Sequence, residues 1–149
     1  MRQKSYLISP GLSPVKVLRR PQAQLRVPAM SETPDPEFIY KIVSRAAFDA
    51  ALAEGVFPQM PIDLKDGFIH FSTAAQLGET LRLHFAGQNG LVVFAVRASG
   101  LGEGLRWEPS RGGQLFPHAY GEVALANVGR HVFLAVAADG GVELPGWVQ

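Results

Sequence analysis

The side chains that could take part in chemistry concentrate in three short segments of this sequence. Gly67–Thr73 carries a histidine between apolar residues, directly before a predicted helix start. Leu105–Glu108 places a cation, an indole and a carboxylate in consecutive positions, and Phe116–Gly121 adds a histidine and a tyrosine after a proline. Histidine, glutamate and tyrosine serve in acid–base catalysis, and arginine binds anions. These three segments are therefore the candidate functional site.

The first segment combines a strand histidine with the beginning of a helix. Strand alternation places the side chain of His70 on the same face as Ser72. Ser72 or Thr73 caps the next helix, and the free N–H groups and positive dipole end of a helix start favour an anion or a phosphate. His70 could act there as an acid, a base or a hydrogen-bond donor. Taken alone, a half-buried histidine bonded to the backbone is the simpler interpretation.

The second segment permits two interpretations. Arg106 and Glu108 share one strand face, with Trp107 on the other, so they could form a surface ion pair beside a core tryptophan. Alternatively, Arg106 holds a phosphate or carboxylate through two hydrogen bonds, and Trp107 offers a stacking surface. Glu108 would then bind a ribose hydroxyl or serve as a general base.

The third segment contains His118 and Tyr120 after Pro117, in a stretch predicted to be a loop. Loops often carry functional residues, but an imidazole and a phenol ring can equally pack to hold a turn. His84, on the apolar face of a predicted helix, and His131, at the start of a strand, are weaker candidates. The histidine spacings match no metal motif, so no metal is expected.

The elements around these segments are strands and helices in irregular order, which favours an α+β fold. Ser44 caps a helix that runs through Glu54, and Thr73 with Gln76 has the spacing of a capping box. Leu91–Val96 is an uninterrupted apolar run, typical of a central strand buried on both faces. The other predicted elements are strands at Phe38–Val43, Phe68–Phe71, Leu105–Glu108, His131–Ala137 and Val142–Leu144, and a loop at 56–66.

Composition sets limits on the class of protein. The 149 residues are 47% hydrophobic and 18% charged, which is typical of one globular domain. The absence of cysteine excludes disulfides and thiolate chemistry and is consistent with a cytoplasmic protein. No apolar run approaches the roughly 20 residues of a membrane span, so no membrane association is expected. The sequence does not indicate an oligomeric state.

The charge is distributed unevenly along the chain. Six of its 14 basic residues and none of its 13 acidic residues lie in residues 1–29, so the remainder is mildly acidic. Nucleic acid is therefore not expected as a partner of the folded body. The proline-rich residues 1–36 are predicted to be a disordered extension, with Met30 as the preferred translation start. Residues 37–149 are predicted to form a single α+β domain.

The motifs, in this order and spacing, resemble a known family. Ile39–Ile42, Gly67–His70, Leu105–Glu108 and Phe116–Gly121 together are similar to the small bacterial proteins of the domain-of-unknown-function 952 family, over roughly residues 38–145. That resemblance implies an ADP-ribosyltransferase-like fold, with two small mixed sheets and two main helices around a cleft. The opening of the domain also resembles RNA 2′-phosphotransferases. Those enzymes carry a histidine and a glycine after the first strand, where this chain has Lys41.

The resemblance also implies a function. The protein would be a transferase that acts on NAD or another nucleotide-like phosphate ligand, with NAD as the candidate cofactor. The alternative is a non-catalytic module that binds a small anionic metabolite or a protein partner in the same cleft. Which side chain would replace the missing histidine stays open among His70, Arg106, Glu108 and His118. The candidate catalytic residues are His70, Glu108 and His118, and the candidate ligand-binding residues are Lys41, Ser72, Thr73, Arg106, Trp107 and Tyr120.

Overall fold

Two small antiparallel sheets and three helices make up the fold of the described chain. A computed structural model describes residues 33–149, of which Pro34–Gln149 form one unit. The α+β class predicted from the sequence is confirmed, although the sheets are antiparallel where mixed sheets were expected. In chain order the elements are β1 (Phe38–Ser44), α1 (Arg45–Glu54), α2 (Pro61–Asp66), β2 (Ile69–His70), α3 (Ala74–Phe85), β3 (Leu91–Arg97), β4 (Leu105–Pro109), β5 (Leu115–Ala119) and β6 (His131–Leu134).

The first sheet has the strand order β1-β3-β6, and the second has the order β2-β5-β4. The middle strand of the first sheet carries Leu91–Val96, which is buried throughout because β3 has a neighbour on each edge and packing on each face. The prediction of a central strand is thus confirmed. The two sheets meet at a single bridge, in which the backbone groups of Tyr40 and Ser72 exchange hydrogen bonds of 2.8 and 2.9 Å.

Two apolar clusters lie on opposite faces of the first sheet. One face packs α1 and the second sheet through Phe48, Phe94 and Ile69. The other face packs α3 through Leu77 and Leu81, together with residues from the C-terminal segment. Aromatic and aliphatic side chains that leave water in this way supply most of the driving force for folding. The arrangement leaves one edge of β1 free, apart from the bridge to Ser72.

The predicted helix starts are confirmed. Ser44 accepts a hydrogen bond from the backbone of Ala47 at 3.1 Å and caps α1. Thr73, not Ser72, caps α3, and Thr73 and Gln76 exchange the two bonds of a capping box at 3.0 and 3.2 Å. Both caps satisfy backbone donors that have no partner inside the helix.

The segment predicted as a loop over 56–66 contains the helix α2. Pro61 stands in its first turn, and Asp63 lies two residues further on, where its carboxylate accepts a hydrogen bond from the backbone of Met60 at 2.7 Å. The backbone at Gly67 is left-handed, with a φ of 83°, and ends the helix. Proline at a helix start and glycine just past its end are regular features of short helices. Because prolines are also common in loops, the two prolines of this segment predict a loop where the structure has a short helix.

Pro117 lies inside β5, where the sequence predicted a turn. The backbone N–H of Phe71 donates to the Pro117 carbonyl at 3.0 Å, but proline has no N–H to donate in return. Pairing with β2 therefore stops at His70, and the predicted strand 68–71 shortens to Ile69–His70. The chain then turns to pair Ser72 with Tyr40.

The C-terminal prediction is only partly correct. The last strand ends at Leu134 instead of Ala137, and Val142–Leu144 forms no strand. After Leu134 the backbone leaves β3 and bonds instead to the loop between α3 and β3, with Val136 donating to Gln88. Among residues 33–149, no helix has the length and apolarity required of a membrane span. The predicted N-terminal extension lies outside the described residues as far as residue 32.

Candidate functional site

A cleft of about 440 Å³ runs along the free edge of β1, and both sheets contribute to its walls. Its size is within the range of about 300–1,000 Å³ that is typical of small-molecule sites. Most of the surface that the lining exposes to the cleft is apolar. The polar and basic lining residues are Lys41, His70, Ser72, Thr80, His84, Ser110, Arg111 and His118, and the apolar or aromatic ones are Tyr40, Ile42, Met60, Ile62, Phe71, Phe85 and Phe116.

The buried polar side chains of the described chain all belong to this region. Among residues 33–149 they are Lys41, Asp63, Ser72 and His118, each at most 6% exposed. Three of them line the cleft, and Asp63 bonds to three residues of the lining, Lys41, Met60 and His70. Burial of a polar group costs free energy unless the group is well bonded. The concentration of these four buried polar side chains in one place makes this region the candidate functional site.

Asp63 is the centre of a hydrogen-bond network on the inner wall. Its Oδ2 accepts from the Met60 backbone and lies 2.8 Å from Lys41 Nζ. Its Oδ1 accepts from the backbone N–H of His70 at 3.0 Å and lies 2.8 Å from His70 Nδ1. The other ring nitrogen of His70 lies 3.0 Å from the carboxylate of Asp66. The network joins α2 to both sheets.

The network is held together by an ionised carboxylate. Burial alone would raise the pKa of Asp63, but the hydrogen bond from His70 and the charge and hydrogen bond of Lys41 outweigh it and lower that pKa to about 2. Burial lowers the pKa of Lys41, and the carboxylate of Asp63 acts in the opposite direction. A buried ion pair of this kind persists because each charge has its own bonded partners.

The stability of the fold is expected to fall as the pH drops from about 4 to about 2. The pKa of Asp63, about 2, is below its ordinary value of 3.8, so folding favours the ionised form. This contribution is complete above the ordinary value and is lost as the pH falls toward the folded value, a loss of about 2 kcal/mol. Urea unfolding at about pH 7 and about pH 2 measures it. If the Asp63→Asn variant lost as much stability between the two pH values as the wild type, the titration of Asp63 would not be the cause.

A second network lies on the wall formed by β4 and β5. His118 Nδ1 lies 2.7 Å from Glu108 Oε1, and the Tyr120 hydroxyl donates to both oxygens of Glu108, at 2.8 and 3.1 Å. The bonds from His118 and Tyr120 lower the pKa of Glu108. The same carboxylate raises the pKa of Tyr120. His118 Nε2 has no hydrogen-bond partner within the described chain.

Strand pairing brings the two networks together. His70 on β2 and Arg106 on β4 are both register partners of His118 on β5, so the three side chains share one face of the sheet. The rings of His70 and His118 are 5.3 Å apart. Phe68 packs on both, with ring centroids at 4.6 and 4.3 Å, and extends to Tyr120 at 5.2 Å. Aromatic packing thus fixes the orientation of both imidazoles.

The structure brings most of the predicted site residues into this region. Lys41, His70, Ser72 and His118 line the cleft, and Glu108 and Tyr120 are bonded behind His118. Three further predicted residues also lie outside the lining. The Arg106 guanidinium lies over the Tyr120 ring at 4.9 Å, Thr73 is occupied by its helix cap, and Trp107 packs against the apolar cluster on the other face of the sheet.

Several site residues were not predicted from the sequence. Asp63 belongs to the undetected helix α2, whose signal was Pro61 followed by an acidic residue and Gly67. Arg111 and Thr80 have no local motif, because they come from a 3₁₀ turn at Arg111–Gly113 and from the middle of α3. Within residues 33–149, no three histidine or acidic side chains are grouped as a metal site.

Comparison with known proteins places this chain in a family. A family model described as a protein of unknown function, DUF952, matches residues 42–131. The chain belongs to this family, and the predicted resemblance is confirmed. The crystal structure of protein CC0527 from Caulobacter crescentus is 49% identical, with a TM-score of 0.66 over 71% of this chain and 93% of that one. A solution NMR structure of CC0527 is 50% identical, with a TM-score of 0.62 over 72% and 91%. A comparison with curated proteins found no match.

Proposed function

We propose that the protein is a group-transfer enzyme that acts on NAD or another nucleotide-like phosphate ligand in the cleft, with an ADP-ribosyltransferase-like fold. Two small sheets that share one cleft support the fold assignment. The observation that carries the proposed function is His118. It is 6% exposed, one ring nitrogen is held by Glu108 at 2.7 Å, and the other has no partner among the described residues.

This geometry suits acid–base catalysis. Glu108 holds the Nδ1–H of His118, which leaves Nε2 as the nitrogen that accepts a proton. In a transfer from NAD, an acceptor hydroxyl gives its proton to Nε2 while its oxygen bonds to the ribose carbon. The bond from that carbon to nicotinamide breaks, and nicotinamide leaves with the electron pair. Glu108 stabilises the imidazolium that forms.

Calorimetric titration with NAD, ADP-ribose and AMP tests ligand binding, and chromatography of released nicotinamide tests turnover. We expect the wild type to bind at least one of these ligands and to release nicotinamide from NAD. His118→Gln should abolish release, whereas His131→Gln, on an exposed strand of the other sheet, should retain it. An absence of binding by all three ligands would overturn the proposal.

A second candidate function is a non-catalytic binding module for a small anionic metabolite or a protein partner. The observation that favours it is the completeness of the inner network, in which Lys41 and His70 are both paired with carboxylates. Groups that are paired in this way support the shape of a pocket without exchanging protons. Tight binding of a ligand that is recovered unchanged after prolonged incubation would select this function over transfer.

A further inference from the structure

The cation that is available to a ligand in the cleft is Arg111. Its Nη1 donates to Thr80 Oγ1 at 3.3 Å, and its guanidinium lies over the Phe116 ring at 4.9 Å. It forms no ion pair with a carboxylate of residues 33–149. The pKa of Glu79 is lowered mainly by its bond to Arg82, at 2.7 Å, and the charge of Arg111 adds to this lowering. The carboxylate of Glu79 is therefore the partner of Arg82 and not of Arg111. Most N–H donors of Arg111 therefore remain available.

Three of the other four basic or imidazole side chains of the lining are already bonded to carboxylates. Lys41 and His70 are paired with Asp63, and His118 is bonded to Glu108. In the part of the chain that the structure describes, no aspartate or glutamate lines the cleft, while five lining residues are basic or imidazole side chains. The carboxylates of the site lie behind the lining and are bonded to Lys41, His70 and His118, so an anion that enters contacts none of them directly.

Hydroxyl groups lie beside Arg111 and help to hold its guanidinium in place. Ser72 is 4% exposed, and its Oγ donates to Thr80 Oγ1 at 3.3 Å. Thr80 in turn donates to the backbone carbonyl of Gln76 at 3.1 Å, which fixes the direction of its hydroxyl. Ser110, next to Arg111 in sequence, also lines the cleft. A fork of guanidinium donors with neighbouring hydroxyls is the arrangement that holds a phosphate or a carboxylate.

The remaining surface of the cleft suits a flat apolar body. Four aromatic side chains line it, those of Tyr40, Phe71, Phe85 and Phe116. Aromatic faces of this kind pack against planar rings as well as against each other. The Arg111 guanidinium lies over the ring of Phe116, so the anion site and the aromatic surface are adjacent.

We propose that Arg111, held in place by Thr80 and Ser72 and with Ser110 beside it, forms the anion subsite for a flat organic phosphate or carboxylate whose ring lies on the aromatic wall. This inference rests on the proposed function for its setting and names the ligand class and its anchor. It assigns the anion-binding role predicted for Arg106 to Arg111, because Arg106 lies on Tyr120 outside the cleft lining.

Titration with two matched pairs of ligands tests this subsite. Nicotinate and nicotinamide differ in the anionic group, as do AMP and adenosine. We expect the anion of each pair to bind the wild type about tenfold or more tightly than its neutral partner, a ratio typical of one charge-assisted contact. Arg111→Gln should remove this preference, and Arg106→Gln should retain it. Arg111→Lys should retain part of it, because the charge stays while the fork is lost.

The outcomes separate this subsite from the proposed transfer activity. An anion preference that survives Arg111→Gln, or that Arg106→Gln removes, would overturn the subsite while nicotinamide release from NAD still tests the transfer. A preference that depends on Arg111, without any nicotinamide release, would support the subsite and count against the transfer. Failure of all four ligands to bind the wild type would overturn the subsite. Thermal unfolding of each variant verifies that the fold is intact.

Discussion

Asp63→Asn is expected to lower the free energy of unfolding by about 3–5 kcal/mol, the range for breaking a buried ion pair. Asp63 lies 2.8 Å from Lys41 Nζ, and the two side chains are 0% and 3% exposed. Asparagine is neutral, so the variant leaves the ammonium of Lys41 buried without a counter-charge. In the wild type the backbone N–H groups of Met60 and His70 donate to the Asp63 carboxylate. In the variant, one of them faces the amide N–H of asparagine, which cannot accept a hydrogen bond. Urea unfolding measures the change.

Two further variants make this prediction specific. Asp66 also bonds to His70, at 3.0 Å, but it is 35% exposed, so Asp66→Asn should cost about 1 kcal/mol or less. Lys41→Met combined with Asp63→Asn should be more stable than Asp63→Asn alone, because the uncompensated ammonium is then absent. Equal losses in Asp63→Asn and Asp66→Asn would show that burial of the pair is not the cause.

Glu108→Gln is expected to lower kcat of the proposed transfer by about 10²–10⁴, the usual range for loss of general acid–base catalysis. The carboxylate of Glu108 lies 2.7 Å from His118 Nδ1 and stabilises the imidazolium that forms when Nε2 takes a proton. A neutral amide can hold the ring but cannot stabilise its positive charge. Glu108 is therefore a positioning residue, and KM should change little. Nicotinamide release over a range of pH measures both constants.

Tyr120→Phe provides the matched control for this variant. It removes the other side-chain donor to Glu108, at 2.8 Å, and leaves the contact with His118 in place. We expect its kcat to fall by less than about tenfold, because the neutral hydroxyl carries no charge in the reaction. Equal effects of the two substitutions, or a rise in KM alone, would show that Glu108 only supports the shape of the cleft.

Local signals in the sequence were sufficient for most of the regular elements. Ser44 and Thr73 cap their helices as predicted, because a cap depends on groups within four residues of each other. The apolar run 91–96 is a central strand, because only a strand that is covered on both faces tolerates such a run. The helix at Pro61–Asp66 and the strand through Pro117 were missed, since both contain prolines that also occur in loops.

For the candidate site, too, the sequence indicated some features and only the structure decided the others. The residue types at 70, 106–108 and 118–120 indicated by themselves where chemistry could occur, and the order of these motifs indicated the family. Which of them act together depended on the register of β2, β4 and β5, which places His118 opposite both His70 and Arg106. Register is set by long-range pairing and packing, so no local pattern reports it.

The sequence alone therefore determined the class of the fold, the family and the identity of the polar segments, because these follow from residue type and short-range spacing. Only the tertiary structure showed that Asp63 is the partner of Lys41 and His70, and that Arg111 instead of Arg106 lines the cleft. The physical reason is that burial and pairing of charges depend on contacts between segments that are distant in sequence. Those contacts exist only after the two sheets have packed together.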